Sequence, residues 1–225
     1  MRGVRTPRQR LLLGLAAVVA VATLAGCGGG KGGTTEQAAQ SAGPCAPATP
    51  HTHPDAGFKQ EKLPLNPSKT YELVFQTNCG AFTVTLDPKL APNTTSSLVS
   101  LAKRGFFTDP FFHRIGPGFV IQGGDPTGTG SGSPGYRTVD KPPRGTRYTH
   151  GVVAMAKTAT EPSGTAGSQF FVVTGADARL PAEYAVVGKV TRGLDVVDKI
   201  GKLGDPATEK PISPVVIRRV RVVVS

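Results

Sequence analysis

The stretch "FHRIGPGFVIQGGD", Phe112 to Asp125, carries the residues best equipped for chemistry. Arg114 and Gln122 stand among Phe, Ile, Val and Gly-Pro, so a permanent charge occupies a run that would ordinarily bury apolar side chains. An arginine between Phe112 and Ile115 needs a partner, and none of its immediate neighbours is a carboxylate. No Ser-His or Cys-His pair surrounds it. The stretch therefore suits a fixed, always-charged hydrogen-bond donor rather than a nucleophile.

The elements that must position this arginine are short. "TYELVFQT" (70–77) and "AFTVTLD" (81–87) alternate apolar and polar residues around "NCG", which predicts a hairpin of two half-buried strands. "APNTTSSLVSLAKRG" (91–105) predicts a helix, with Pro at its start, Leu98 and Leu101 on one side, Lys103 and Arg104 in the last turn and Gly105 as its stop. Strand candidates recur at 111–115, 119–122, 151–156, 169–174 and 184–191, separated by Gly/Pro loops. "GLDVVDKIGKLG" (193–204) predicts a second helix through Leu194, Val197 and Ile200. The closing "PVVIRRVRVVVS" sets Arg219 and Arg221 against Val220 and Val222, a strand with one wet face. Many strands and two helices without regular alternation argue for a barrel or sandwich rather than a parallel sheet.

Composition agrees. The 225 residues allow one domain of roughly 150 residues plus extensions. With 29 Gly, 20 Pro and no Trp, short strands and many turns are expected, hence a mainly β class. Residues 1–26 are expected to be an address instead of fold: Arg2, Arg5, Arg8 and Arg10 precede an apolar run from Leu11 to Gly26. That run is shorter than the ~20 residues a membrane-spanning helix needs, and Gly14 and Gly26 weaken it further. "LAGC" (24–27) resembles the bacterial lipobox, so Cys27 is expected to be lipidated and the mature protein held on the outer face of the bacterial cell membrane. Without the four leader arginines the formal charge falls from +11 to 11 − 4 = +7. No Lys/Arg block with interleaved aromatics accompanies that charge, which argues against nucleic acid as a partner. Residues 27–66 hold few large apolar side chains and are expected to be a flexible tether, with the folded domain at 67–225.

Other signals are weak. "GSGSPG" (130–135) matches G-x-G-x-x-G, but Pro134 interrupts it and no helix follows, so a surface loop is expected rather than a phosphate site. His51 and His53 supply two ligands on a tether, which make no metal site. His113 and His150 fall in strand candidates and are read as structural, with no partner assignable. Cys45 and Cys79 are the thiols left after Cys27, and an exported compartment permits a disulfide between them.

"FHRIGPGFVIQGGD" (112–125), "GVVAMAK" (151–157), "GSQFFVVT" (167–174) and "LPAEYAVVGKV" (180–190) together resemble, in order and spacing, the cyclophilin-type peptidyl-prolyl cis-trans isomerases over about residues 70 to 225. The resemblance implies a closed eight-stranded antiparallel β-barrel capped by two α-helices, acting as a monomer on proline-containing polypeptides. It makes Arg114 the catalytic arginine, held by Gln122. Phe119, Val120, Phe171 and Leu180 would form the proline pocket, Gln169 would bond substrate backbone, and Ala156 and Lys157 would line the groove through main-chain groups. Twisting a peptide bond changes no covalent bond, so neither cofactor nor metal is implied. Three positions depart from the family's familiar pattern: Arg179 replaces a Trp whose indole N–H bonds cyclosporin, Tyr184 replaces a pocket His, and Val120 replaces a Met. Two function classes follow, an isomerase assisting exported proteins to fold and a binding or chaperone module that holds proline segments without turning them over.

Overall fold

The computed structural model describes residues 44–54 and 57–225. The leader at 1–26, Cys27 and the first part of the expected tether lie outside these residues. The described chain forms ten strands and two helices. In order they are β1 (Tyr71–Thr77), β2 (Gly80–Leu86), α1 (Pro92–Lys103), β3 (Arg114–Gly116), β4 (Val120–Gly123), β5 (Thr138–Val139), β6 (Val152–Met155), β7 (Thr165–Ala166), β8 (Phe170–Val173), β9 (Val186–Arg192), α2 (Leu194–Gly201) and β10 (Ile217–Val224). Eight form one curled sheet in the order β10-β1-β2-β9-β6-β8-β4-β3, and every pairing within it is antiparallel.

The two edge strands do not pair with each other directly. The seam between them is closed by the residues just before β3, which bond the start of β10: Asp109 N to Ile217 O at 2.8 Å, Ile217 N to Pro110 O at 2.8 Å and Phe112 N to Val215 O at 2.9 Å. The barrel outline expected from the sequence is thus completed by a loop. β5 and β7, absent from the sequence reading, are a separate two-residue pair that alternation cannot reveal at such length.

Alternation along the strands sorts side chains to two sides. Phe75, Phe82, Phe112 and Phe170 fill the interior, with Phe75 and Phe82 stacked at 4.7 Å and Phe112 meeting Phe170 edge-on at 6.1 Å. A smaller apolar cluster covers the outer side of β4, β6 and β8 and contains Val120, Tyr148, Ala154, Phe171, Val173 and Val186. α1 packs Leu98, Val99 and Leu101 inward and has no side-chain cap of its own. Its first amides are satisfied from across the fold, where the Asp140 carboxylate accepts from Thr94 N at 2.7 Å and Thr94 Oγ1 at 2.6 Å.

The expectation of a flexible tether extending to Asn66 is revised by the contacts of residues 44–54 and 57–66. Ser96 of α1 exchanges two 2.9 Å bonds with the backbone of Leu63, Phe58 packs edge-on against Phe106 at 5.2 Å, and Ala46 N donates to Asn78 O at 2.8 Å. Phe58, Leu63 and Leu65 are few, but each meets the core, so sparse apolar content was enough to seat the segment. Cys45 and Cys79 are joined by a disulfide across 34 residues. In the chain-entropy account, a loop of that length contributes about 3–4 kcal/mol by restricting the unfolded chain. Replacing both cysteines by serine is expected to lower the melting temperature by several degrees while leaving the barrel folded, measured by circular dichroism. An unchanged melting temperature would mean that the disulfide contributes nothing to stability.

Candidate active site

Cross-strand register builds the site. Arg114 on β3 lies opposite Gln122 on β4, Gln122 opposite Phe171 on β8, and Phe171 opposite Ala154 on β6, so the four make one row. The next row, Ile115, Ile121, Val172 and Val153, faces the interior and is buried throughout. Arg114 is therefore on the outer face, its side chain 39% exposed, although its neighbours Phe112 and Ile115 are fully buried. Strand period two sends Ile115 inward opposite Arg114, and Phe112 reaches the interior from outside β3, just before the strand begins.

Its partner is remote in sequence. Arg114 Nε donates to Glu209 Oε2 at 2.6 Å, across 95 residues, and Nη1 donates to Gln122 Oε1 at 3.3 Å. Gln122 Nε2 then donates to Gln169 Oε1 at 3.0 Å, and Gln169 Nε2 to the carbonyls of Gly130 and Gly132 at 2.9 and 3.0 Å. Both hydrogens of the Gln169 amide are thus used, leaving its oxygen as the atom with spare capacity. Nη2 of Arg114 has no protein partner among the described residues.

Beside the guanidinium lies an apolar wall. The Phe119 ring sits 5.5 Å from Arg114 Cζ, Val120 and Phe171 are nearly fully buried, and Phe119, Leu180 and Tyr184 pack partly exposed against them. Phe171 and Tyr184 meet edge-on at 5.6 Å. Tyr184 is clamped by Tyr148, whose hydroxyl donates to Tyr184 O at 2.8 Å and accepts from Tyr184 N at 2.9 Å. Burial raises the Tyr148 phenol above its usual range, so it stays neutral in both roles. Lys157 turns its ammonium away from solvent: its side chain is 3% exposed, bonded to Glu183 Oε2 at 3.1 Å and held 5.5 Å from the Tyr184 ring centroid. Ala156 N is engaged by Gln169 O at 2.9 Å. Arg179 adopts a left-handed backbone, φ 52°, with its N–H donated to Asp177.

The glycine loop is organised from inside by Asp125. This fully buried carboxylate accepts from Thr127 N, Thr127 Oγ1, Gly130 N and Gly132 N at 2.6–3.2 Å. Burial pushes its pKa up, but the hydrogen bonds outweigh that and hold it below the usual carboxylate range. The amides of Gly130 and Gly132 are therefore committed to a protein carboxylate. Gly132 leaves the room: a Cβ there would sit 2.0 Å from Asp125 Oδ1.

Tyr148, Asp125 and Glu209 do not stand out in the sequence. Asp125 has the only local signal, an Asp opening a Pro/Thr/Gly turn. Nothing near Arg114 points to residue 209. His150, without an assignable partner in sequence, bonds Asp198 at 2.6 Å.

A family model described as cyclophilin type peptidyl-prolyl cis-trans isomerase/CLD matches residues 72–222. The chain belongs to that family. Peptidyl-prolyl cis-trans isomerase CYP18-2 of Arabidopsis thaliana is 34% identical over 156 residues, 68% of this chain and 93% of the relative. Peptidyl-prolyl cis-trans isomerase-like 1 of Aspergillus fumigatus is 36% identical over 156 residues, 68% and 95% of the two chains. The crystal structure of a cyclophilin type isomerase of Cryptosporidium parvum, obtained in the presence of the dipeptide Ala-Pro, matches with a TM-score of 0.62 at 29% identity, covering 68% of this chain and 98% of that one. The cyclophilin fold thus accounts for the eight-stranded sheet and both helices.

His113, just before β3 of this cyclophilin domain, has both ring nitrogens buried and unbonded among the described residues. Burial lowers its pKa, Asp125 opposes that shift, and Arg114 adds to it. The unfolded chain takes up this proton near pH ~6.5, while the folded chain takes it up only at lower pH. Stability from His113 is therefore complete above that value and is lost as the pH falls below it. The unfolding free energy of the parent is expected to decline more steeply than that of His113→Phe between pH 7 and 5, measured by urea titration. Parallel curves would show that His113 titrates alike in both states.

Proposed function

We propose that the chain is an active prolyl isomerase that works on exported polypeptides from the outer face of a bacterial membrane, where Cys27 anchors it. The observation that carries the activity is a guanidinium fixed on two edges beside an apolar wall, with a third edge free. Rotation about the X-Pro bond meets a barrier of ~18–20 kcal/mol, because amide resonance must be broken. At the twisted state the imide nitrogen pyramidalises and gains a lone pair, which the planar forms lack. A donor aimed at that nitrogen stabilises the twisted state more than either planar state and lowers the barrier.

In this reading Nη2 of Arg114 is the donor, since Nε is committed to Glu209 and Nη1 gives one of its two hydrogens to Gln122, while Nη2 keeps both of its own. Gln122 is one of the two partners that hold the guanidinium. Phe119, Val120, Phe171, Leu180 and Tyr184 hold the proline ring, while main-chain groups of Ala156 and Lys157 grip one flank. Gln169 Oε1 accepts from substrate backbone, the one role its bonding leaves open. One side of the substrate then rotates against the other.

Arg114→Ala is expected to lower kcat/KM in a proline-peptide exchange assay by about 10²–10³, as for removal of one transition-state donor. Arg114→Lys should not rescue it, because a single mobile ammonium cannot hold two partners and a third direction at once. Melting should change little: the Arg114–Glu209 pair is 39% and 37% exposed, and an exposed pair contributes ~1 kcal/mol or less. Near-parent turnover with a strongly lowered melting temperature would make Arg114 structural and leave a binding module without catalysis.

The anchor rests on "LAGC" and the basic, apolar leader before it. More than one acyl chain, at ~0.8 kcal/mol per buried methylene, gives stable membrane attachment. Expressed in a bacterium, the parent should partition with the membrane fraction and Cys27→Ser should leave it or remain uncleaved. Identical mass and partitioning of the two would remove the anchor from this proposal.

A further inference from the structure

We infer that Glu209 is a positioning residue for the isomerase reaction, setting the plane of the Arg114 guanidinium from a loop that the sequence does not connect to the site. The inference rests on Arg114 being the transition-state donor.

An arginine side chain has several freely rotating bonds, and one hydrogen bond leaves the guanidinium free to swing about that contact. Gln122 supplies one bond, at 3.3 Å, to Nη1. The shorter charge-assisted bond, at 2.6 Å, comes from Glu209 to Nε. Because Nε and Nη1 are separate corners of one rigid fork, fixing both fixes the direction of Nη2. Removing Glu209 returns that freedom even though Gln122 remains.

The loop around Glu209 is built to hold the carboxylate there. Glu209 O accepts from Ile115 N at 2.7 Å, one residue beyond Arg114 on the same strand. Glu209 N donates to Asp205 O at 2.8 Å, and the Asp205 carboxylate accepts from Ala207 N, Thr208 N and Thr208 Oγ1. Glu209 itself has a left-handed backbone, φ 55°, one of three non-glycine residues with positive φ among the described residues. Such a conformation persists where the surrounding bonds over-determine it. Gly116 clears the space beneath: a Cβ there would lie 2.9 Å from Glu209 Oε1. An incidental surface ion pair requires none of this.

The test compares parent, Glu209→Ala, Glu209→Gln, Arg114→Ala and the double variant Arg114→Ala/Glu209→Ala, all as the full-length chain. The readouts are kcat and KM for a proline peptide, melting temperature, and solvent exchange of the Arg114 Nε–H by nitrogen-15 NMR. Glu209→Ala should lower kcat by roughly five- to twenty-fold with KM within about twofold, as expected when a reacting group is misaligned rather than removed. Its melting temperature should stay near the parent's, and Arg114 Nε–H exchange should accelerate. Glu209→Gln keeps an acceptor oxygen and should recover most of the loss. On the Arg114→Ala background, Glu209→Ala should have no further effect. If Glu209→Ala turns over like the parent while Arg114→Ala is impaired, the inference fails and the donor reading stands. A loss of equal factor on both backgrounds would show that Glu209 acts independently of Arg114 and would also overturn it. Near-parent turnover by Arg114→Ala would instead sink the donor reading, and the inference with it.

Discussion

Every feature of the site depends on the register of four short antiparallel strands. With a side-chain period of two, the pairing Arg114–Gln122–Phe171–Ala154 puts one row outside and sends Ile115, Ile121, Val172 and Val153 inside. A slip of one residue would exchange the rows, burying a guanidinium and exposing four β-branched side chains. The cost of the slipped state, an unpaired buried charge together with lost apolar burial, is what keeps three- and four-residue strands in place. The geometry of the candidate site and the core packing are thus specified by the same hydrogen-bond ladders.

The same alternation divides the apolar residues into an inner and an outer cluster. Phe170 belongs to the inner aromatic cluster and Phe171, its neighbour, to the outer one. All four residues of β8 are buried because the strand is covered on both faces, by the core and by the pocket wall. Such a strand reads as a continuous apolar run, and its two faces can be told apart only through its partners.

This sets what the sequence could reveal. Alternation in β1 and β2, the amphipathic stripes of both helices and the blocks around Arg114 and Phe171 are local patterns, and they locate most of the sheet and the row that carries the arginine. Of the strap at 44–54 and 57–66 only the possible Cys45–Cys79 bridge was legible, because its seating rests on a few apolar residues instead of a periodic face. Glu209, Tyr148 and Asp140 escape for a different reason. Each is an ordinary residue type whose role is created by a partner 36 to 95 residues away, and neither periodicity nor composition encodes such a distance.

Loops of this turn-rich domain raise a related problem, since their backbone amides lack ladder partners and still require acceptors. Aspartates answer it repeatedly: Asp125 gathers the amides of the glycine loop, Asp140 those at the start of α1, Asp177 that of Arg179 and Asp205 those beneath Glu209. Two of these carboxylate-centred loops terminate the polar chain of the site. From Glu209 the chain runs through Arg114, Gln122 and Gln169 to the carbonyls of Gly130 and Gly132, whose own amides are fixed on Asp125. Arginine can only donate, so Gln122 must present its oxygen to it, its amide hydrogens must point to Gln169, and Gln169 must point its own to the loop carbonyls. Each direction follows from the one before. A single permanent donor between two ordered loops therefore fixes the orientation of both amides, and the bonds those amides make leave one edge of the guanidinium for an incoming group.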